Sequence, residues 1–467
     1  MEKELLGIIK TNPKDVISKI EKQSKDIEKI SNYRKEYLDK NRDIRDTQVG
    51  KTQKDKQKPV FVKAVRIPIN FAKKIITTAT AFEVGKPITL IPSSENSLSK
   101  LLSKIWSVNR IDASIQELVR LKKAETQAAM QFYISDIKQD GLFNKALALL
   151  GLKAVKQIKT KILKNADGIM TPYFDSNSNM VAFMWKYKTT NSEGKEYNKY
   201  EIWDDSYSHN ISDESGSLTY IEGTTHGFDR IPIVYVSQEE PEWFDVKELI
   251  DRYETSLSKL GNSNDYTAYP ILLIYGEIES LPDKDDNGKI INLPMRKDED
   301  GKWVKGGAEF LVSSNSAESA KLEFDAVKGL IYTISHTPDL SFDNVKGLGS
   351  VSGVALKLLF LDAVIKASMN EGENRTMIER IVNVLTSGVI KTTNTNLLKD
   401  STDLYFDIVF NSIIPDDVKT ATEIITSLHE AKLISKQTAI KMIDMVENPI
   451  AELELINSEQ IVEPPVV

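Results

Sequence analysis

Few residues in this chain could carry out chemistry. The 467 residues include no cysteine and only four histidines, His209, His226, His336 and His429. Without cysteine there is no disulfide, no thiolate nucleophile and no Cys-type zinc or iron–sulfur site. The histidines form no HxH, HxxxH or HExxH spacing, so no metal and no cofactor is expected. The 68 carboxylates offer many pairs, but none stands in a Ser/His/Asp, glycosidase or two-metal arrangement that sequence can single out. An enzyme of unrecognised chemistry stays open as an alternative, and the expectation is a protein that is not an enzyme.

Three motifs invite a ligand reading and fail it in detail. Gly347 to Gly353, GLGSVSG, resembles a dinucleotide loop, but Ser352 stands at the sixth position and no strand precedes it. Its glycines suit a loop with exposed amides that ends at Ser350 or Ser352 as the N-cap of a following helix. Val84 to Pro87, VGKP, lacks both the first glycine and the Ser or Thr of a phosphate loop. Asp283 to Ile290, DKDDNGKI, starts like a calcium loop, yet Pro294 occupies the place of the bidentate carboxylate, which leaves a hairpin turn.

The elements that would position such residues read as follows. Apolar residues make up 40% and charged residues 28%, the balance of a folded globular protein, and the length points to two to four domains. No window has the ~18 apolar residues of a membrane span. The start, MEKELLGIIKTNPKD, lacks a secretory pattern, so cytosol-like surroundings and no membrane partner are expected. Net charge is −7, and of 61 basic residues 11 are Arg, which disfavours tight sequence-specific nucleic-acid binding.

The first 46 residues read as helix, with Asn12 as N-cap and Pro13 at the first position. Residues 34–58 are a polar, slightly basic stretch, either a solvated loop or an arm. Helix is expected from Ile67 to Val84, closed by Gly85 and Pro87, again over 98–130, and again over 142–164, whose lysines would sit at a helix C-terminus. From about 168 to 237, short aromatic and β-branched runs separated by turn residues mark an antiparallel meander. Helix returns at Asp245, with Ile250, Tyr253, Leu257 and Leu260 on one stripe. PILLIYG reads as a strand, 282–308 as a charged hairpin region and 321–336 as helix. A loop and a helix reaching about 390 come next, and mostly helix from Ile413 onward. The fold class expected is α+β, mainly helical.

Several blocks in this order resemble the portal, or head–tail connector, proteins of tailed double-stranded DNA bacteriophages of the long-tailed siphophage type. They are NFAKKIITTATAFEVGKPITL, TTHGFDRIPIVYV, DVKELIDRYETSLSKLGNSNDYTAYPILLIYG, SHTPDLSFDNVKGLGSVSGVALKLLFLDA and the terminal stretch from FDIVFNSIIPDD to IAELELI. Asp229 departs from the glycine usual in the second block. The likeness spans roughly residues 60–457.

The resemblance implies a ring of twelve subunits at one capsid vertex, a channel for DNA packaging and ejection. Implied partners are passing double-stranded DNA, the terminase large subunit, major capsid and scaffolding proteins and then head–tail adaptors. Location in the virion, after assembly in the bacterial cytoplasm, follows from the same likeness. By residue it implies a wing at 1–244 and 353–411, stem helices at 245–268 and 321–337 and a clip at 269–320. A channel loop at 338–352 and a crown at 412–467 complete the set. The channel-facing candidates are Asp339, Ser341, Asp343, Asn344, Lys346, Gly347, Gly349, Ser350, Ser352 and Gly353. In the clip, Lys302, Trp303 and Lys305 would contact partners, since an exposed Trp beside lysines suits an interface anchor. A Trp buried between neighbouring clips is the other reading, and a structural adaptor unrelated to DNA the other function.

Overall fold

The computed structural model describes residues 7–40, 42, 44, 51–54, 59–62, 66–136, 156–267, 271–275, 295–297, 299–304, 307–311, 317–339, 358–392, 397–414, 418–442 and 449–460. Along the chain run α1 (Pro13–Glu21), α2 (Ile27–Tyr37), β1 (Lys51–Lys54), β2 (Pro59–Val62), α3 (Phe71–Val84), β3 (Thr89–Pro92), α4 (Ser97–Val108) and α5 (Ile111–Glu125). Then come β4 (Gln127–Asp136), β5 (Lys156–Leu163), β6 (Ile169–Phe174), β7 (Met180–Thr190), β8 (Glu196–Trp203), β9 (Tyr207–Ser212), β10 (Thr219–Thr225) and β11 (Ile233–Ser237). The second half holds α6 (Lys247–Thr267), β12 (Ile271–Tyr275), β13 (Arg296–Lys297), β14 (Trp303–Val304), β15 (Gly307–Leu311), α7 (Ala317–Ile334) and α8 (Leu361–Thr392). It ends with α9 (Leu397–Thr402), β16 (Phe406–Val409), α10 (Val418–Glu430), α11 (Lys436–Lys441) and α12 (Pro449–Gln460). The chain divides into one unit of residues 1–78, 117–337 and 383–395, and another of 79–116, 338–382 and 396–467.

In the first unit, β6 to β10 form a five-stranded antiparallel sheet in sequence order. Successive side chains of a strand face opposite ways, and β7 uses both faces. Ala182 and Met184 meet Val16, Ile17 and Ile20 of α1, whereas Phe183 and Trp185 join Ala129, Leu163, Ile231 and Ile233. Helix α1 begins where Asn12 caps the Asp15 amide at 3.3 Å with proline next in line. A third core brings Tyr33, Tyr37, Phe71, Ile75, Trp243, Ile250 and Ile331 together, with Tyr37 stacked on Trp243 at 6.4 Å.

Two sequence expectations need correction. The stretch 142–164 is not helix in its described part. Residues 156–163 are β5, paired antiparallel with β4, and Lys156, Lys159 and Lys161 are its exposed positions, while Ile158 and Leu163 are buried. The lysines obey strand alternation, and a dense set of cations reads the same in either period. The pattern over 98–130 is likewise not one helix. It breaks between α4 and α5, and Thr126, in the left-handed region at φ 64°, turns the chain straight into β4. The last run of the expected meander, IPIVYVS, leaves that sheet, since β11 pairs with β4 in a separate sheet ordered β11-β4-β5.

The second unit is anchored by polar groups. The buried Glu83 carboxylate accepts from Asn370 at 2.6 Å and Asn374 at 3.1 Å. Asp112 accepts from the Trp106 indole at 2.9 Å and the Ile88 amide at 3.1 Å. Gly85 is demanded by space: a Cβ there would stand 2.2 Å from the Ala81 carbonyl oxygen and 2.9 Å from Ile413. Strands β3 and β16 pair antiparallel.

A histidine pair on the large sheet links stability to pH. The Asp204 carboxylate accepts from the Ser206 and Tyr207 amides at 2.7 and 2.6 Å and meets His209 Nε2 at 3.0 Å. His226 Nε2 donates to the Asp204 carbonyl at 3.0 Å, and its Nδ1 accepts from the Phe228 amide at 3.2 Å. A proton on Nδ1 would face that amide, and burial lowers the His226 pKa below 6.5. A base depressed on folding carries fewer protons than in the unfolded chain, so its stabilising effect exists above about pH 6.5 and is lost on acidification. Burial raises the Asp204 carboxyl, but its hydrogen bonds outweigh this and lower it overall. Its contribution therefore fades only below about pH 4. The urea midpoint is expected to fall between about pH 7.5 and about pH 5.5, and to fall less in His226→Gln. An equal fall in both proteins would sink this assignment.

Candidate channel loop and docking surface

The candidate loop hangs from a helical hairpin whose rotation is set by buried polar groups. On α6, the Glu254 carboxylate accepts from the Ile69 amide at 2.6 Å and from Arg42 Nη2 at 2.5 Å, and Ser258 accepts from the Ile67 amide at 3.0 Å. Burial raises the Glu254 pKa in spite of Arg42. A carboxylate 1% exposed holds α6 in one orientation, because any rotation leaves the charge buried without its partners. Helix α7 packs alongside: Glu323 accepts from Arg252 Nη2 at 2.6 Å and Ser256 at 3.0 Å, and Phe324 meets Tyr253 edge-on at 5.7 Å.

The end of α7 is tightly closed. His336 takes φ 55°, its amide donates to Thr333 at 3.2 Å, and the Thr337 amide donates to Tyr332 at 2.9 Å. These are the two hydrogen bonds of a Schellman cap, here with histidine where glycine is usual. The buried Ser335 hydroxyl donates to Thr337 Oγ1 at 3.0 Å, and Pro338 follows. The helix therefore stops at a defined residue immediately before the candidate loop. Asp339 is half-buried. Ser341, Asp343, Asn344, Lys346, Gly347, Gly349, Ser350, Ser352 and Gly353 lie outside the described residues.

In the candidate clip, β12 pairs with β15 and β13 with β14. Trp303 is 59% exposed, with Met295 and Val304 exposed beside it, and Lys302 is exposed. Lys297 Nζ stands 5.0 Å above the Trp303 ring, because the two residues are directly paired across strands. Sequence reasoning missed Lys297, which lies six residues before Trp303; only the hairpin register brings them together. Lys305, and the segment DKDDNGKI, lie outside the described residues.

Two small cavities exist among the described residues. One of about 100 Å³ is lined by Glu36, Arg42, Trp243 and Lys247, and Glu36 there already binds Lys247 at 2.6 Å. The other, about 170 Å³, lies between Phe82, Glu83, Glu371, Asn374 and Phe410. Both fall short of the ~300 Å³ of typical ligand pockets. No group of three or more His, Asp or Glu among the described residues could hold a metal ion, and no described helix is long and apolar enough to cross a membrane.

Among solved structures, the chain is similar to the neck of an empty GTA particle computed with C6 symmetry. That match has 10% identity and TM-score 0.39, covering 81% of this chain and 90% of that one. The neck of the native GTA particle computed with C12 symmetry matches with the same figures. The virion of the native gene transfer agent particle matches at TM-score 0.37 and 10% identity, over 81% of this chain and 89% of that one. No curated protein matches. The sequence profile of the family described as phage portal protein, SPP1 Gp6-like, matches residues 16–463, which is nearly the whole length, and the chain therefore belongs to that family of phage portal proteins.

Proposed function

We propose that twelve copies of this chain form a ring at one capsid vertex, enclosing the channel through which DNA is packaged and ejected. The observation that carries this reading is the family match across residues 16–463. In it, α6 and α7 are the stem, 269–320 the clip, 338–352 the channel loop, 412–467 the crown, and the remainder the wing. Terminase docks on the clip first and the head–tail adaptors follow. The exposed Trp303, held by Lys297, is the anchor there, flanked by Lys302 and Lys305. Capsid and scaffolding proteins surround the wing, and the assembled ring stays in the virion.

A conduit should let DNA slide, and every fixed phosphate contact adds affinity through counterion release. The loop sequence suits this with Lys346 alone against Asp339 and Asp343. Native mass spectrometry of the purified chain tests the ring. A species near twelve times 52.5 kDa is expected, and only monomer or dimer, together with no incorporation into capsids, would defeat the reading. In capsids carrying Lys346→Glu, ring assembly should be unchanged while the packaged or retained DNA falls. Normal packaging would remove Lys346 from the phosphate-facing role.

A further inference from the structure

Two helices of this chain expose apolar ridges that nothing in the described chain covers. On α8, Leu361, Ile365 and Met369 follow at intervals of four, preceded by Leu358 one turn before, with exposures of 47, 49, 79 and 65%. On α7, Leu322, Leu330 and Ile334 are 73, 48 and 43% exposed, with exposed Ala326 completing the same row. Both are ridges of the i, i+4 kind that interdigitate when helices pack. They match in length, since 12 to 14 residues of helix span about 18–21 Å.

Each ridge also holds a glycine without an internal explanation. A Cβ added at Gly329 or Gly372 would meet nothing within 4 Å, although glycine inside a helix destabilises it. Such a residue makes sense where another backbone must come close.

We propose that the α8 ridge of one copy docks on the α7 ridge of a second copy. The inference rests on the ring reading and names the faces that build it. Three observations favour this occupant. Two different ridges per chain give a head-to-tail contact, which closes into rings, whereas a ridge meeting its own copy gives a two-fold dimer and stops. The flanking charges are complementary: Asp362, Lys366 and Glu373 beside the α8 ridge sum to −1, and Lys321, Asp325 and Lys328 beside the α7 ridge sum to +1. Such charges set register more than affinity. The area points the same way. A four-turn strip of a helix about 10 Å wide falls well short of the roughly 800 Å² per partner of a stable pair. One contact alone is therefore weak, and a copy is held firmly only when both of its ridges are engaged.

The absence of cysteine allows a direct test on the full chain. Leu330→Cys and Met369→Cys each carry a single thiol, and the two proteins, one bearing a mass tag, are mixed and oxidised. The expected product is a covalent heterodimer in the mixture, with little dimer from either protein alone. Homodimers that form as readily as the heterodimer, or no heterodimer at all, would overturn the proposal. Wild-type native mass measured in parallel separates the two layers. A ring without the heterodimer removes these faces and leaves the ring standing, while no ring in solution or in capsids removes the ring itself. As a second variant, Ile365→Glu should lower the ring yield by more than about tenfold, because its carboxylate would be buried unpaired, with the melting of the single chain unchanged. Rings at wild-type yield would also overturn the proposal.

Discussion

Lys123→Met is expected to lower the free energy of unfolding of the first unit by about 3–5 kcal/mol. The ammonium lies 3.0 Å from Glu242 Oε2, and the two side chains are only 1% and 8% exposed. The Glu242 amide also donates to the Lys123 carbonyl at 3.0 Å, so backbone and side chain keep the two residues together. Methionine fills much the same space, which makes packing loss small. The cost arises because the Glu242 carboxylate stays buried without its cation. The double variant Lys123→Met with Glu242→Leu removes both charges and should recover most of the loss, since an apolar pair can replace a buried ion pair at little net cost. Urea unfolding followed in the transition of this unit gives both values, because a chain of two units need not melt in one step. If the single and double variants were equally destabilised, the loss would come from packing and not from an orphaned charge.

Gly388→Val carries the second large effect, about 3 kcal/mol or more, by overpacking. A Cβ at this position in α8 would stand 2.5 Å from Phe228 Cε1 and 2.9 Å from Ile158 Cδ1. The Ile158 methyl can swing away, but Phe228 is 3% exposed and pinned from behind. Its amide donates to His226, and next to it the Asp229 amide donates to Ser387 Oγ at 2.8 Å. The turn at 226–229 is therefore clamped to α8 by Ser387 and seated in the notch that Gly388 leaves. The same helix supplies the control. Gly372→Ala, where a Cβ meets nothing, should stabilise the isolated chain by up to about 1 kcal/mol through helix propensity. Thermal melts of the two variants should thus shift in opposite directions. A Gly388→Val protein as stable as the parent would mean that this turn is loosely held.

Much of the architecture was legible because it rests on local signals. Asn12 with Pro13 announces α1, alternation along MVAFMWKYKTT announces β7, and the apolar stripe of Ile250 and Tyr253 announces α6. What misled was chemistry without a period. The lysines of 156–161 are exposed in either a helix or a strand, so their density could not distinguish the two, and only pairing with β4 decided it. The left-handed turn at Thr126 was equally hidden, because threonine has no preference for that region and tertiary packing has to impose it.

For the candidate sites the division is similar. Family membership was readable from ordered blocks of sequence, and so was the lack of a disulfide or Cys-built metal site, because both depend only on which residues are present. The pairing of Lys297 with Trp303, the buried Glu254 that sets the rotation of the hairpin, and the Schellman cap at His336 required coordinates. So did the two uncovered ridges on α7 and α8. An apolar residue at helical spacing reads as core in any sequence, and Leu322 and Met369 differ from Ile331 and Ile378 only in what lies across from them. Composition and period set which faces are apolar, but whether a face is buried by the chain itself or left for another copy is decided by the tertiary packing of elements distant in sequence.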